Sequence, residues 1–158
     1  MRRVAAGLLA LALTSLGVAG CGSDGEGDKP AVLQLRPVLG GAGDCKVLAS
    51  NPPEKEPVSL ELQGRCVGLG PSVLSIDSAE VVAERRDTFV VAQLKLSEDD
   101  TETLADVSAD FLGKEVGIVA FGRLLVAPVF NEPILEGRVE VLGLSASEVE
   151  DLRRALAD

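Results

Sequence analysis

VAFGRLLVAPVFNEPILEG, Val119 to Gly137, holds the turn, the strand ends and the corner on which the fold depends. Together with the residues before it, the stretch offers two apolar runs, EVGIVAFG and RLLVAPVF, that meet at Phe121-Gly122-Arg123. A glycine there supplies the positive φ that a tight hairpin turn requires, so the pair is predicted to fold back as adjacent antiparallel strands. Proline donates no backbone hydrogen bond, and Pro128 and Pro133 interrupt the pattern. Between them Asn131-Glu132 poses a choice between a catalytic dyad and a bend. A catalytic Glu132 needs a second carboxylate or a nucleophile within reach. The carboxylate nearest in sequence, Glu136, lies beyond Pro133, where no regular helix aligns the two. Pro133 also biases Glu132 away from helical backbone, and asparagine tolerates turn geometry. The pair reads as a corner.

Working outward, Thr88–Leu96 (TFVVAQLKL) is β-branched at its start and alternating at its end, the pattern of a strand. Ser97 then caps a helix over EDDTETLADVSADFL, with acids in the first turn where the helix dipole favours them. Its expected buried stripe is Leu104, Val107, Phe111 and Leu112, with Gly113 closing the C-terminus. Beyond the corner, GRVEVLG places Val139 and Val141 on one face of a strand and Arg138 and Glu140 on the other. The last helix is signed by a capping box, Ser145 with Glu148, by a staple from Leu144 to Val149, and by the stripe Val149, Leu152, Leu156. On the N-terminal side, Ala31–Leu39 alternates as a strand, and VSLELQGRCVGLGP holds one or two short strands broken at Gly64. SIDSAEVVAERRD is left open between strand and helix, because Val81 and Val82 oppose its Ala, Glu and Arg content. The expected class is α+β: two layers, a mainly antiparallel sheet with two amphipathic helices on one face.

The front of the chain carries an address. MRR precedes an apolar run of 13 residues, Val4 to Leu16, too short for the ~20 residues that cross a bilayer as a helix. It therefore reads as a cleavable leader. Val18-Ala19-Gly20-Cys21 then resembles the lipobox of bacterial lipoproteins, which implies diacylglycerol on the Cys21 thiol and cleavage before it. The alternative is an ordinary secretory cleavage site with an incidental cysteine. Residues 1–20 are thus expected to be a lipoprotein signal peptide, and residues 21–30 a lipidated cysteine with an acidic, Gly-rich tether. A tether of that composition reaches on the order of 15 Å. Residues 31–158 form the domain, held at a cell membrane on its extracytoplasmic side. Two cysteines then remain in an oxidising compartment. Cys45 and Cys66 are expected to be bonded across 66 − 45 − 1 = 20 residues, with two reduced thiols as the other reading.

Composition excludes several functions. There is no histidine, so no Ser-His or Cys-His nucleophile and no imidazole metal ligand is available. A net charge of −10 repels nucleic-acid backbones. The glycines of GSDGEG follow no strand and lack a Lys-Ser pair, and the acids of EDDTETLAD lack the Gly-centred spacing of a calcium loop. No cofactor, metal, nucleic-acid or small-molecule partner is expected, and no enzyme activity.

Four segments, in order, carry a resemblance: LQLRPVL (Leu33–Leu39), GLGPSVL (Gly68–Leu74), Gly113–Gly137, and LSASEVEDLRRAL (Leu144–Leu156). They resemble the head subdomain of the first large extracytoplasmic domain of the SecD family, half of the SecD-SecF assembly that helps pull polypeptides through the Sec channel. In that family an Arg-Pro-Val strand, a Leu-Gly-Pro turn, a Gly-Lys helix end and an Ala-Pro-x hairpin recur, as they do at Arg36-Pro37-Val38, Leu69-Gly70-Pro71, Gly113-Lys114 and Ala127-Pro128-Val129. The departures are Gly117 for the usual Ala, Phe121 for an Asp, and Leu125-Val126 for x-Ser. No segment after the leader supplies the intramembrane carboxylates through which the family couples to proton flow. The resemblance implies a capture surface without the motor: a membrane-anchored, non-catalytic module for extended polypeptide or Sec components. The expected partner surface is Phe121, Leu124, Val129, Phe130 and Asn131, and the expected route is addition of a strand to a sheet edge. The alternative function is a structural or stress lipoprotein of the envelope with no role in translocation.

Overall fold

The computed structural model describes residues 32–86 and 89–157. The expected lipidation at Cys21, the leader and the tether lie outside the described residues. The elements are β1 (Leu33–Gly41), β2 (Val58–Leu62), β3 (Arg65–Leu69), β4 (Leu74–Ile76), β5 (Glu80–Arg86), β6 (Phe89–Lys95), α1 (Glu98–Asp110), β7 (Val116–Ala120), β8 (Arg123–Val126), β9 (Arg138–Val141) and α2 (Ala146–Leu156).

The α+β class and the antiparallel pairing stand, but the strands form two sheets rather than one. The larger runs β2-β3-β1-β7-β8, and the smaller runs β5-β6-β9. β1 is the spine of the first. Leu33 and Leu35 pair with Ala120 and Ile118 of β7 on one side and with Ile76 and Leu74 of β4 on the other. Further along, β3 takes over the side that β4 leaves. The segment left open in sequence resolves as strand: β4, a short bend, then β5, which pairs with β6 through seven residues without a shift. α1 returns the chain from β6 to the first sheet as β7, and the 127–137 corner sends it back as β9. That route separates the sheets. The helices are likewise not side by side on one sheet, since α2 packs on β5 and β6 whereas α1 lies against β4.

The main core fills the space between these layers. Leu33, Leu35, Ile76 and Ile118 of the first sheet meet Leu94, Val139 and Val141 of the second, with Leu104 and Val107 from α1 and Val149, Leu152 and Leu156 from α2. A smaller core lies on the other face of the first sheet, around Val58, Leu60, Leu69, Val119 and Leu124. α2 begins as its residues dictate: Glu148 N donates to Ser145 Oγ and Ser145 N to Glu148 Oε2, at 3.3 and 2.8 Å. α1 starts at its Ser97 cap but ends earlier than its apolar spacing suggests. Asp110 is its last residue, Phe111 is half-buried and Leu112 is exposed, so the buried side is Leu104, Val107 and Ser108.

Candidate functional site

Alternation in β1 sends Leu33 and Leu35 to the main core, and so points Gln34 and Arg36 at the opposite face. There the 42–57 loop covers them, and both are fully buried. Among the described residues Arg36 meets no carboxylate in an ion pair; backbone carbonyls hold it instead. Its Nη1 donates to the carbonyls of Glu56 and Gly70 at 2.7 and 2.9 Å, and its Nη2 to Pro53 and Pro52 at 2.6 and 3.4 Å. Nε donates to Gln34 Oε1 at 2.8 Å, and Gln34 Nε2 reaches Pro52 O at 2.9 Å. All five guanidinium donors are thereby used. Burial lowers the affinity of Arg36 for its proton, and the charge of Glu54 partly offsets this. The guanidinium turns a Pro-rich loop, NPPEKEP, into a fixed lid.

Asn51 locks the same lid to the hairpin. Its Nδ2 donates to Val32 O, and its Oδ1 accepts from Gly122 N, both at 2.8 Å. Phe121 and Gly122 form the turn with φ of 53° and 70°. A Cβ at Gly122 would stand 2.7 Å from the carbonyl oxygens of Leu48 and Ser50, so glycine is required for space as well as conformation. Phe121 occupies the left-handed region at a cost of roughly 1–2 kcal/mol, offset by packing of its ring on the main core. Cys45 and Cys66 are bonded, with Cα atoms 5.3 Å apart, and tie the same loop to β3.

The expected partner surface divides. Leu124 is 5% exposed and belongs to the smaller core, and Phe130 is 8% exposed and plugs the main one. Neither is available to a partner. The reason is that the chain leaves β8 at Ala127-Pro128 and doubles back along the end of α1, where Phe130 bridges Leu112 and Val129 bridges Glu115. Gly113 N donates to Phe130 O and Ile134 N to Ser108 Oγ, each at 2.8 Å, so the corner is pinned to α1. Phe121 is half-buried at the hairpin turn. What the corner does present is Val129, 43% exposed, Asn131, Leu112 and Leu135, the last at 72%. Leu112 was missed in the sequence because its spacing continues the helix stripe, and Leu135 because no periodic pattern covers the residues beyond the corner.

A second polar arrangement crosses the smaller sheet on the face away from α2. Arg86 bridges Glu84 at 2.9 Å and Glu140 at 2.7 Å, and Gln93 Nε2 donates to Glu84 and Glu140 at 2.6 and 3.2 Å. The hydrogen bond from Arg86 holds the Glu84 carboxyl below the usual carboxylate range, and the two carboxylates raise the Arg86 guanidinium. This is a solvated cross-strand network that rigidifies the face. Asn131 and Glu132 stand exposed at the corner. Among the described residues no cluster of three or more cysteines, acids or histidines is arranged to hold a metal. No described helix is long and apolar enough to cross a membrane.

No family model matches the chain. A curated relative, the protein translocase subunit SecD of Acidaminococcus fermentans, is 28% identical over an alignment of 127 positions that covers 73% of this chain and 30% of the relative. The chain therefore spans about 30% of the length of the curated relative it matches. Among solved structures, a membrane component SecDF that enhances protein export superposes with a TM-score of 0.55 at 22% identity, over 80% of this chain and 62% of that one. SecDF in its super-membrane-facing form gives 0.52 at 24% identity, over 80% of this chain and 18% of that one. The described domain is SecD-like in sequence and fold.

Proposed function

We propose that this SecD-like domain is a non-catalytic module for extended polypeptide, held at the outer face of a cell membrane by a lipid on Cys21 and linked to protein export. Its partners in this reading are secreted chains in transit or subunits of the Sec channel. The observation that carries it is the corner at the end of α1. Leu112, Val129 and Leu135 stand in solvent on a segment whose backbone is pinned, beside a core that is already filled without them. Rigid apolar surface of this kind is costly to leave in water unless something covers it in turn. The rest of the chain supports passive binding. The domain has no histidine, and its buried cation, Arg36, has its donors taken by the carbonyls of residues 52, 53, 56 and 70 and by Gln34 Oε1. The SecD likeness supports the link to export, and the lipobox-like Val18-Ala19-Gly20-Cys21 supports the anchor.

The test is photo-crosslinking in growing cells from position 135, which is exposed, rather than from Phe130, which is not. Secreted precursors or Sec channel subunits among the trapped species are the expected result. A single unrelated envelope protein, or nothing above the level of a probe at Glu61, would favour a structural lipoprotein and sink the export reading.

A further inference from the structure

Among the described residues five strands edge the two sheets, and four of them are closed or short; β4, which pairs with β1 alone, has only three residues. β2 has Lys46 N donating to Ser59 O along its outer side, and β8 faces β2 across a cleft of about 320 Å³ that Lys46, Val47 and Leu48 help to line. β9 is four residues long. β5 differs from all of these. It runs seven residues, contains no proline, glycine or bulge, and pairs with β6 throughout. Just before it Ala79 N donates to Leu156 O at the end of α2, and along Glu80–Arg86 no other described backbone group bonds the outer row of donors and acceptors. α2 packs on the face of β5, yet Ala83 remains exposed and Val82 is 51% exposed.

We infer that the β5 edge is a self-pairing surface whose partner is β5 of a second copy of this chain. Charge register selects this partner. When an antiparallel pair keeps both helices on one face of a continuous sheet, residues of like parity stand opposite each other. Glu80-Val81-Val82-Ala83-Glu84-Arg85-Arg86 then has one central alignment that brings opposite charges together and no like charges. With Ala83 on the two-fold axis, Glu80 faces Arg86 of the partner subunit at both ends and Val82 faces Glu84 of the partner subunit. Centring on Val82 instead sets Glu80 against the partner's Glu84. Centring on Glu84 sets two carboxylates against each other, and centring on Arg85 sets two guanidinia together. Opposed like charges destabilise a strand pair, and opposed unlike charges stabilise it. Ala83 at the axis offers the least steric hindrance to close approach. The product is a six-stranded sheet, β9-β6-β5 and its symmetry mate, of the isologous kind in which most homodimers close.

Residue 83 facing itself is the testable signature, because directly opposed Cβ atoms in such a pair lie about 4.5–5.5 Å apart. In whole cells expressing the full chain, Ala83→Cys treated with diamide should give at least ten times the disulfide-linked dimer that Val47→Cys gives, Val47 being fully exposed on another loop. Adding Glu80→Arg, which puts a second guanidinium opposite the partner's Arg86, should cut that dimer at least fivefold. Dimer from Ala83→Cys no more abundant than from Val47→Cys overturns the inference. So does an unchanged yield with Glu80→Arg, or a linkage to other envelope proteins in place of a second copy. A photo-crosslinker at the same two positions repeats the comparison without adding a thiol.

Discussion

Replacing Arg36 by methionine removes the cation and keeps the volume, and the structure allows the outcome to be worked through. Of the five acceptors that lose a donor, Pro52 O keeps Gln34 Nε2. Pro53 O and Glu56 O are only partly buried and turn to water. Two are left enclosed: Gly70 O and Gln34 Oε1. An orphaned buried acceptor costs about 1–3 kcal/mol, so the pair costs roughly 2–6 kcal/mol. Against this, methionine removes the desolvation penalty of a buried guanidinium, and replacing buried charge by apolar volume is sometimes neutral. The orphaned carbonyls decide the sign here, because the charge never had a salt-bridge partner whose loss would be balanced. The net expectation is a loss of about 2–4 kcal/mol. In urea, with a slope of about 2 kcal/mol per molar for a domain of this size, the midpoint falls by about 1–2 M. Arg36→Lys should cost at least as much, since lysine keeps the buried charge but has only three donors for the same acceptors. The assay is equilibrium unfolding of each variant with the Cys45–Cys66 bond intact. A midpoint for Arg36→Met within about 0.3 M of the parent, a small part of the expected shift, would show that the loop does not depend on the guanidinium.

Three further outcomes follow from other parts of the molecule. Reducing the Cys45–Cys66 bond, or replacing both cysteines by serine, reopens a loop whose ends are 21 positions apart, and unfolding free energy measured with and without reductant should fall by roughly 3 kcal/mol on the chain-entropy model. Glu148 accepts from Ser145 N and is held below the ordinary carboxyl value of 4.5 chiefly by that bond, with Arg123 assisting. A depressed folded-state value means its contribution is present above pH 4.5 and is lost as pH falls below it. Glu148→Ala should therefore cost about 1 kcal/mol at pH 7 and little at pH 3, read from thermal melts at both; equal losses at the two pH values would contradict this assignment. Finally, Cys21→Ser should move the chain from the membrane pellet to the soluble extracytoplasmic fraction, and unchanged fractionation would remove the lipid anchor from the proposal.

Much was legible in residues whose consequences are local. Ser145 and Glu148 are three apart, so the capping box needed only the chain between them. Gly64 and Gly122 marked the turns after β2 and β7 because backbone with positive φ favours glycine. Alternation in Val139 and Val141 fixed the buried face of β9. Pairing of Cys45 with Cys66 followed from elimination once Cys21 was assigned elsewhere. The misreadings involve residues whose environment comes from distant chain. Phe130 and Leu124 looked like surplus apolar surface because no local pattern reveals that the corner doubles back along α1 or that a second core lies under the 42–57 loop. Leu112 looked like core because its spacing continues the helix, whereas the structure ends that helix two residues earlier.

Arg36 shows the division most clearly. By itself the sequence determined that β1 is a strand and that residues 34 and 36 share a face, since side chains alternate on extended backbone. The same logic leaves those polar residues to solvent. Only the tertiary structure decided that the face is covered, because the guanidinium is met by carbonyls of residues 52, 53 and 56 from the lid and of residue 70 beyond β3. Backbone carbonyls are present at every position and leave no mark in composition. Where they converge depends on the path of the folded chain.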